Sequence, residues 1–173
     1  MPKTSRFTFE FLDKKKHDRA SFSCGVEALD AYLKQRASQD MEKHVAAVIV
    51  AAPDTKTIAG YYTLSQYAIA MGSLPSEINT KLNLPKYPVL PATLIGRLAR
   101  ATDFRGERVG ELLLMSALER SLRLSREIAS IAVVVDAKDD RAVQFYATYG
   151  FLRLPEHPNR LFLTMKTVEL MFR

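Results

Sequence analysis

The sequence predicts an α/β (α+β) fold, one domain over residues 1–173 with a mixed central β-sheet of about six to seven strands flanked by helices. Three observations point there. A length of 173 residues suits one hydrophobic core and is short for two ordinary domains. Residues 45–52 and 131–136 are β-branched apolar runs, the second continuous enough for a strand covered on both faces. Between them Gly110, Leu113, Leu114, Ala117 and Leu118 recur at helical spacing, so strand and helix periods alternate along one chain.

The elements follow in order. Residues 7–12 alternate aromatic or aliphatic residues with Thr and Glu and predict a first strand. Phe22-Ser23-Cys24-Gly25 predicts a helix start, with Ser23 or Gly25 as cap and Phe22 as staple. Val26, Leu29, Asp30 and Leu33 carry that helix to about Gln39. Residues 45–52 form a strand, Pro53-Asp54-Thr55-Lys56 supplies turn chemistry, and residues 57–70 return as a strand. Gly72, Pro75, Pro85, Pro88 and Pro91 break any period over residues 72–91, which predicts a loop or a short irregular helix. Residues 92–101 form a strand feeding the helix with the Gly110 to Leu118 face, and residues 131–136 the next strand. Asp139 or Asp140 caps a helix that ends near Tyr149 and stops at Gly150. Residues 151–154 and 161–172 supply two last strands.

Composition bounds the function. With 47% hydrophobic and 25% charged residues, and no apolar run near the ~20 residues a bilayer needs, the chain reads as a soluble protein with no membrane role. The N-terminal Met-Pro-Lys-Thr-Ser-Arg has no apolar core for secretion, so a cytoplasmic location is expected. Cys24 is the only cysteine, which excludes an internal disulfide and a Cys-based zinc site and leaves it as a structural thiol; no metal is expected. A net charge of +6 and pI ≈ 9.5 favour an anionic partner: nucleic acid, a phosphate-bearing cofactor, or both. The basic cluster Lys14-Lys15-Lys16-His17-Asp18-Arg19 reads as a solvated loop.

Two stretches carry the chemistry. From Arg97 to Gly110 the chain runs from a strand through Arg105-Gly106-Glu107-Arg108-Val109-Gly110 into a helix, and this geometry aims the N–H groups of residues 106–111 at one spot, a seat for a diphosphate. Arg105 and Arg108 add charge-assisted contacts, with Gly106, Val109, Gly110 and Glu111 contributing main chain. The second stretch, Gln144-Phe145-Tyr146-Ala147-Thr148-Tyr149-Gly150-Phe151, places tyrosines at the end of a short helix.

These segments resemble the GNAT-type N-acetyltransferases, and more narrowly the GNAT toxins of bacterial toxin–antitoxin pairs. The likeness spans almost the whole chain: Phe-Ser-Cys-Gly-Val-Glu-Ala-Leu-Asp-Ala-Tyr-Leu at 22–33, Gly-Tyr-Tyr-Thr-Leu at 60–64, Gly-Arg-Leu-Ala at 96–99, the turn, and Asp-Ala-Lys-Asp-Asp-Arg-Ala-Val-Gln-Phe-Tyr at 136–146. In that family the turn reads Gln/Arg-x-x-Gly-x-Gly/Ala; here Arg108 stands at the middle glycine, which a Cβ tolerates only at negative φ, so its side chain is expected to point outward or along the phosphates. The resemblance implies acetyl-CoA as co-substrate, with Leu98 and Ala99 pairing by main chain with its pantetheine arm and Arg100, Asp136 and Asp139 among the residues beside it. It implies that Tyr146 protonates the departing thiolate, with Tyr149 the weaker candidate. It implies that Arg97 lies near the acceptor end of an aminoacyl-tRNA substrate, with Lys34 and Arg36 contacting its backbone. A small ribbon-helix-helix antitoxin and a homodimer are also implied.

The acceptor is narrowed by what is missing. Residues 96–101 carry no carboxylate to act as a base, although Asp103 and Asp136 are possible helpers. A lysine amine (pKa ~10.4) needs a base, whereas an α-amine (~7.7–8.0) is substantially neutral already. This leans toward the α-amine of aminoacyl-tRNA, modified by a translation-blocking toxin. A GNAT acting on a small amine or a protein N-terminus, and a non-catalytic acyl-CoA- or partner-binding module, remain alternatives.

Overall fold

Seven strands in the order β1-β2-β3-β4-β5-β7-β6 form one mixed sheet in the computed structural model, which describes residues 6–173. Residues 1–5, on which much of the secretion argument rests, lie outside the described residues. The strands are β1 (Thr8–Phe11), β2 (Ala47–Ala52), β3 (Gly60–Ala70), β4 (Val89–Arg100), β5 (Ala132–Asp136), β6 (Leu152–Leu154) and β7 (His157–Thr164). The helices are α1 (Glu27–Gln35), α2 (Ala37–Glu42), α3 (Ser76–Leu82), α4 (Val109–Leu124), α5 (Asp140–Thr148) and α6 (Met165–Met171). β1–β2, β2–β3, β5–β7 and β6–β7 pair antiparallel, and β4–β5 pairs parallel.

The chain packs as two compact units. One is the chain up to Ser65 together with Gly96–Ala117; the other is Gln66–Ile95 together with Leu118–Arg173. In the first, Phe22, Tyr32, Leu33, Val48, Val50 and Tyr61 form a core with Ala99 of β4 and Ala101 just past it. Gly60 belongs here by necessity: a Cβ on it would lie 2.7 Å from the Ala99 carbonyl oxygen and 2.7 Å from Leu113 Cδ1. In the second, Ile69, Leu74, Leu90, Val134, Leu154 and Phe162 form the core. Residues 132–135 of β5 are buried without alternation, as expected for a strand covered on both faces. Val109, Leu113, Leu114, Ala117 and Leu118 make the buried face of α4.

Four local expectations are corrected. The first helix starts at Glu27 with Val26 as its uncapped N-terminus; the Ser23 hydroxyl and the Cys24 N–H instead donate to the Asp30 carboxylate, reaching back from the helix. That helix stops at Gln35, because Arg36 (φ −120°) breaks it, and α2 continues the path to Glu42. The residues expected to extend the last strand to 172 turn into α6, where the Thr164 hydroxyl accepts from the Thr167 N–H as an N-cap and Met165 and Val168 are buried at helical spacing. The cluster at 14–19 is only partly solvated: Lys14 pairs with Glu42, Lys16 with Glu10, and His17 is buried with its Nε2 2.8 Å from Glu10.

Candidate active site

The turn between β4 and α4 behaves as a nest of donors. A 3₁₀ turn over Thr102–Phe104 leads to Arg105, and the chain then passes through Gly106 at φ +81° and Arg108 at φ +58° before α4 begins. The N–H of Glu107 bonds to the Phe104 carbonyl at 3.4 Å, and the first helical bond is donated by Leu112 to the Arg108 carbonyl. The N–H groups of Gly106, Arg108, Val109, Gly110 and Glu111 therefore have no acceptor among the described residues. They sit at the positive end of a 16-residue helix, so an anion there gains both hydrogen bonds and the helix dipole. The two carboxylates bordering the turn are neutralised locally: Glu107 by Arg6, and Glu111 by Arg108 at 2.8 Å.

Arg108 corrects the sequence expectation. It takes the left-handed conformation of the glycine it replaces, instead of a negative φ, and its guanidinium turns along the helix to Glu111. Arg105 is exposed with no ion pair among the described residues, which leaves it as the uncommitted cation of the turn.

β4 supplies the second part. Its pairing with β5 covers Thr93, Leu94 and Ile95, and Gly96 to Arg100 carry the strand on towards the turn. Leu98 is half-buried and Ala99 buried on this stretch. Among the described residues Arg100 Nε is buried without a hydrogen-bond partner, a donor in want of an acceptor. A diphosphate suits the turn beyond this strand.

Tyr146 lies on α5, whose N-cap is Asp139, accepting from the Ala142 N–H at 2.8 Å. Asp139 thus has a structural task in this fold. Val143 and Tyr146 are the buried residues of α5, with the Tyr146 ring against Phe145 (5.2 Å between centroids) and Phe151 (5.4 Å). Its hydroxyl has no hydrogen-bond partner among the described residues and is not a sealed polar atom. Burial first, and then the Asp136 charge, push the phenol well above its ordinary pKa, so it stays protonated at neutral pH. Tyr149, at the helix end, stacks edge-on against Phe145. Asp136, at the end of β5, is held by its cross-strand neighbour Arg160 at 2.6 Å, and Arg160 also donates to the Tyr67 hydroxyl at 2.6 Å. Sequence reading missed Arg160; only its register opposite Asp136 reveals it.

Lys34 and Arg36 are exposed and unpaired among the described residues. Arg97 places its guanidinium carbon 3.5 Å over the Tyr32 ring. Among the described residues no three His, Cys, Asp or Glu side chains gather as a metal site, and no helix is long and apolar enough to cross a membrane.

The mixed sheet and the donor-lined turn ahead of α4 are those of a GNAT-type N-acetyltransferase. No family model matches the chain. A probable toxin TacT of Sinorhizobium fredii is 29% identical over 167 residues, 92% of this chain and 91% of that protein. A tRNA-acetylating toxin of Mycobacterium tuberculosis is 32% identical over 149 residues, 86% of this chain and 87% of that protein. Among solved structures, a tyrosine-to-phenylalanine mutant of KacT aligns at TM-score 0.89 and 28% identity over 97% of this chain and 100% of that one. AtaT complexed with acetyl-methionyl-tRNAfMet aligns at TM-score 0.86 and 28% identity over 96% of this chain and 99% of that one. AtaTR bound with acetyl-CoA aligns at TM-score 0.84 and 27% identity, over 96% and 98%. The chain belongs to the family of tRNA-acetylating GNAT toxins.

Proposed function

We propose that this chain transfers acetyl from acetyl-CoA to the α-amine of aminoacyl-tRNA and so blocks translation. The observation that carries the reading is the turn at 105–111, with five unsatisfied N–H groups at a helix start, in a chain that shares nearly its whole length with a tRNA-acetylating toxin. In this reading the N–H groups and Arg105 hold the diphosphate, and Leu98 and Ala99 hold the pantetheine arm by main chain. Arg100 offers its unpaired Nε to the same molecule. Arg97, Lys34 and Arg36 serve the tRNA.

The step balances as follows. The neutral amine attacks the thioester carbonyl carbon, a C–N bond forms, and the C–S bond breaks as the tetrahedral intermediate collapses. The nitrogen loses its proton to water. The Tyr146 phenol gives its proton to the leaving thiolate and is reprotonated from solvent. A phenol held above its ordinary pKa always carries the proton it must give, and transfer is driven by charge developing on sulfur. That a relative was solved as a tyrosine-to-phenylalanine mutant fits such a role.

A cytoplasmic homodimer with a ribbon-helix-helix antitoxin encoded alongside completes the proposal, and a neighbouring short reading frame of that pattern is its quickest check. The central test is incubation of a full set of charged tRNAs with labelled acetyl-CoA. Label on the aminoacyl moiety is expected; no label on any tRNA overturns the reading.

A further inference from the structure

Arg97 stands on an aromatic column. Its guanidinium carbon is 3.5 Å from the Tyr32 ring centroid, and Tyr61 stacks with Tyr32, their centroids 6.3 Å apart and their planes 18° apart. Phe22 meets Tyr61 edge-on at 5.6 Å. Both hydroxyls are tethered: Tyr32 donates to Asp40 Oδ2 at 2.8 Å, and Tyr61 to the Leu29 carbonyl at 2.7 Å. Tyr32 and Tyr61 are buried, so the platform beneath Arg97 is fixed in tilt and position.

What Arg97 does not do is equally informative. It makes no hydrogen bond and no ion pair among the described residues. Arg160 and Arg108 both spend donors on carboxylates. A guanidinium contacted through its face keeps its N–H donors, which lie in its plane, directed outward. Such a fork matches the paired oxygens of a phosphate.

We propose that Tyr32, braced by Asp40, is a positioning residue that holds Arg97 edge-outward as a phosphate fork. The proposal rests on the aminoacyl-tRNA reading above, in which the phosphate is an RNA backbone group; a phosphate of the coenzyme is the other source of the same chemistry. Without the platform, Arg97 keeps its charge but loses its aim.

The test uses Arg97→Gln, Tyr32→Leu, their double variant, Tyr32→Phe and Asp40→Ala, each checked for folding by thermal melting. Binding of deacylated tRNA is measured against salt. Acetylation of aminoacyl-tRNA is compared with that of an aminoacyl-adenosine that has no acceptor-stem phosphates. Arg97→Gln and Tyr32→Leu should each weaken tRNA binding roughly tenfold and reduce the salt slope by about 0.7–0.9, the value of one phosphate. The double variant should add little. Tyr32→Phe and Asp40→Ala remove the same hydrogen bond, keep the stack, and should give equal losses of about twofold to threefold. Turnover of the aminoacyl-adenosine should fall less than that of the aminoacyl-tRNA.

A shift in the acetyl-CoA KM in place of the tRNA slope assigns the fork to the coenzyme phosphate and leaves the role of Tyr32 standing. Folded Tyr32→Leu with an unaltered salt slope and acetyl-CoA KM overturns it, as does full additivity with Arg97→Gln. If Tyr32→Leu does not fold, unequal losses in Tyr32→Phe and Asp40→Ala overturn it. Failure of the wild-type chain to acetylate any charged tRNA defeats the functional reading instead, and the tRNA salt slopes still report on the fork.

Discussion

Replacing Arg108 by glycine should stabilise the protein, although it deletes an ion pair. A left-handed backbone costs an L-residue about 1–2 kcal/mol, and Arg108 sits at φ +58°. Glycine gives back about 0.5–1 kcal/mol through the freedom of the unfolded chain. The Arg108–Glu111 pair, with the arginine side chain 77% exposed, contributes at most about 0.5 kcal/mol. Arg108→Gly should therefore gain about 0–1 kcal/mol, whereas Arg108→Ala loses the pair, keeps the strain and falls slightly below wild type. The two variants should differ by about 0.5–1 kcal/mol, or about 1–4 °C in Tm for a chain this size. Urea denaturation of the ligand-free variants measures it, and an alanine variant as stable as the glycine variant refutes the backbone argument. The same variants report on the coenzyme. With its guanidinium on Glu111, Arg108 is not needed by the diphosphate, so either change should move the acetyl-CoA KM less than about threefold, while Arg105→Ala raises it roughly tenfold. A tenfold rise in Arg108→Ala would show that the side chain leaves Glu111 for the phosphates.

Other consequences follow from neighbouring elements. Gly60→Ala drives a Cβ against the Ala99 carbonyl oxygen and the Leu113 side chain and should cost about 1–3 kcal/mol in denaturation experiments, since the Ala99 backbone has to move. Asp139→Ala removes the α5 cap and should cost about 1 kcal/mol, read by the same experiment. Tyr146→Phe should lower kcat by about 10²–10⁴ with acetyl-CoA affinity retained; because burial raises its pKa, no alkaline loss of activity below about pH 10 should trace to this residue, and a limb there that vanishes in Tyr146→Phe contradicts the assignment. Tyr32 is raised from 10.0 to about 12, by burial first and then by its bond to Asp40. The unfolded phenol ionises first, so this contribution is intact below pH 10 and is lost between about 10 and 12; Tyr32→Phe should flatten the fall in stability over that window.

Periodicity and caps were legible because they are local. The unbroken burial of β5, the α4 face and the Asp139 cap each rest on residues within a few positions of one another. The start of α1 was misplaced because Asp30, on the helix, reaches back to Ser23 and Cys24 and takes the place of a forward cap. The end of β7 was misplaced because Met165 and Val168 continue the apolar content of the strand, and only their spacing of three marks the turn into α6. The family motif singled out the turn, the β4 end and Tyr146 as candidates. It could not show that Arg108 adopts a glycine conformation, since that depends on the path of the chain into α4. Arg160 opposite Asp136, and Tyr32 beneath Arg97, are contacts between distant segments with no local signature.

The carboxylates of the structure sharpen the case for the proposed acceptor. Asp136 is a possible helper by its position, but Arg160 holds both its oxygens, at 2.6 and 3.4 Å, so they are already engaged as acceptors. Glu107 and Glu111 are each paired with an arginine. Asp103 is exposed on the 3₁₀ turn, open to water. With these four carboxylates paired or open to water, the proton is expected to leave the amine before attack or pass to water during it. At pH 7 a lysine amine near ~10.4 is neutral in roughly one molecule in 2,500, whereas an α-amine near ~7.7–8.0 is neutral in roughly one in five to ten. That difference of more than two orders of magnitude is about what a general base contributes to a rate. An enzyme with these side chains loses little on an α-amine and most of its rate on a lysine, so the protonation of the acceptor discriminates between them ahead of any pocket shape.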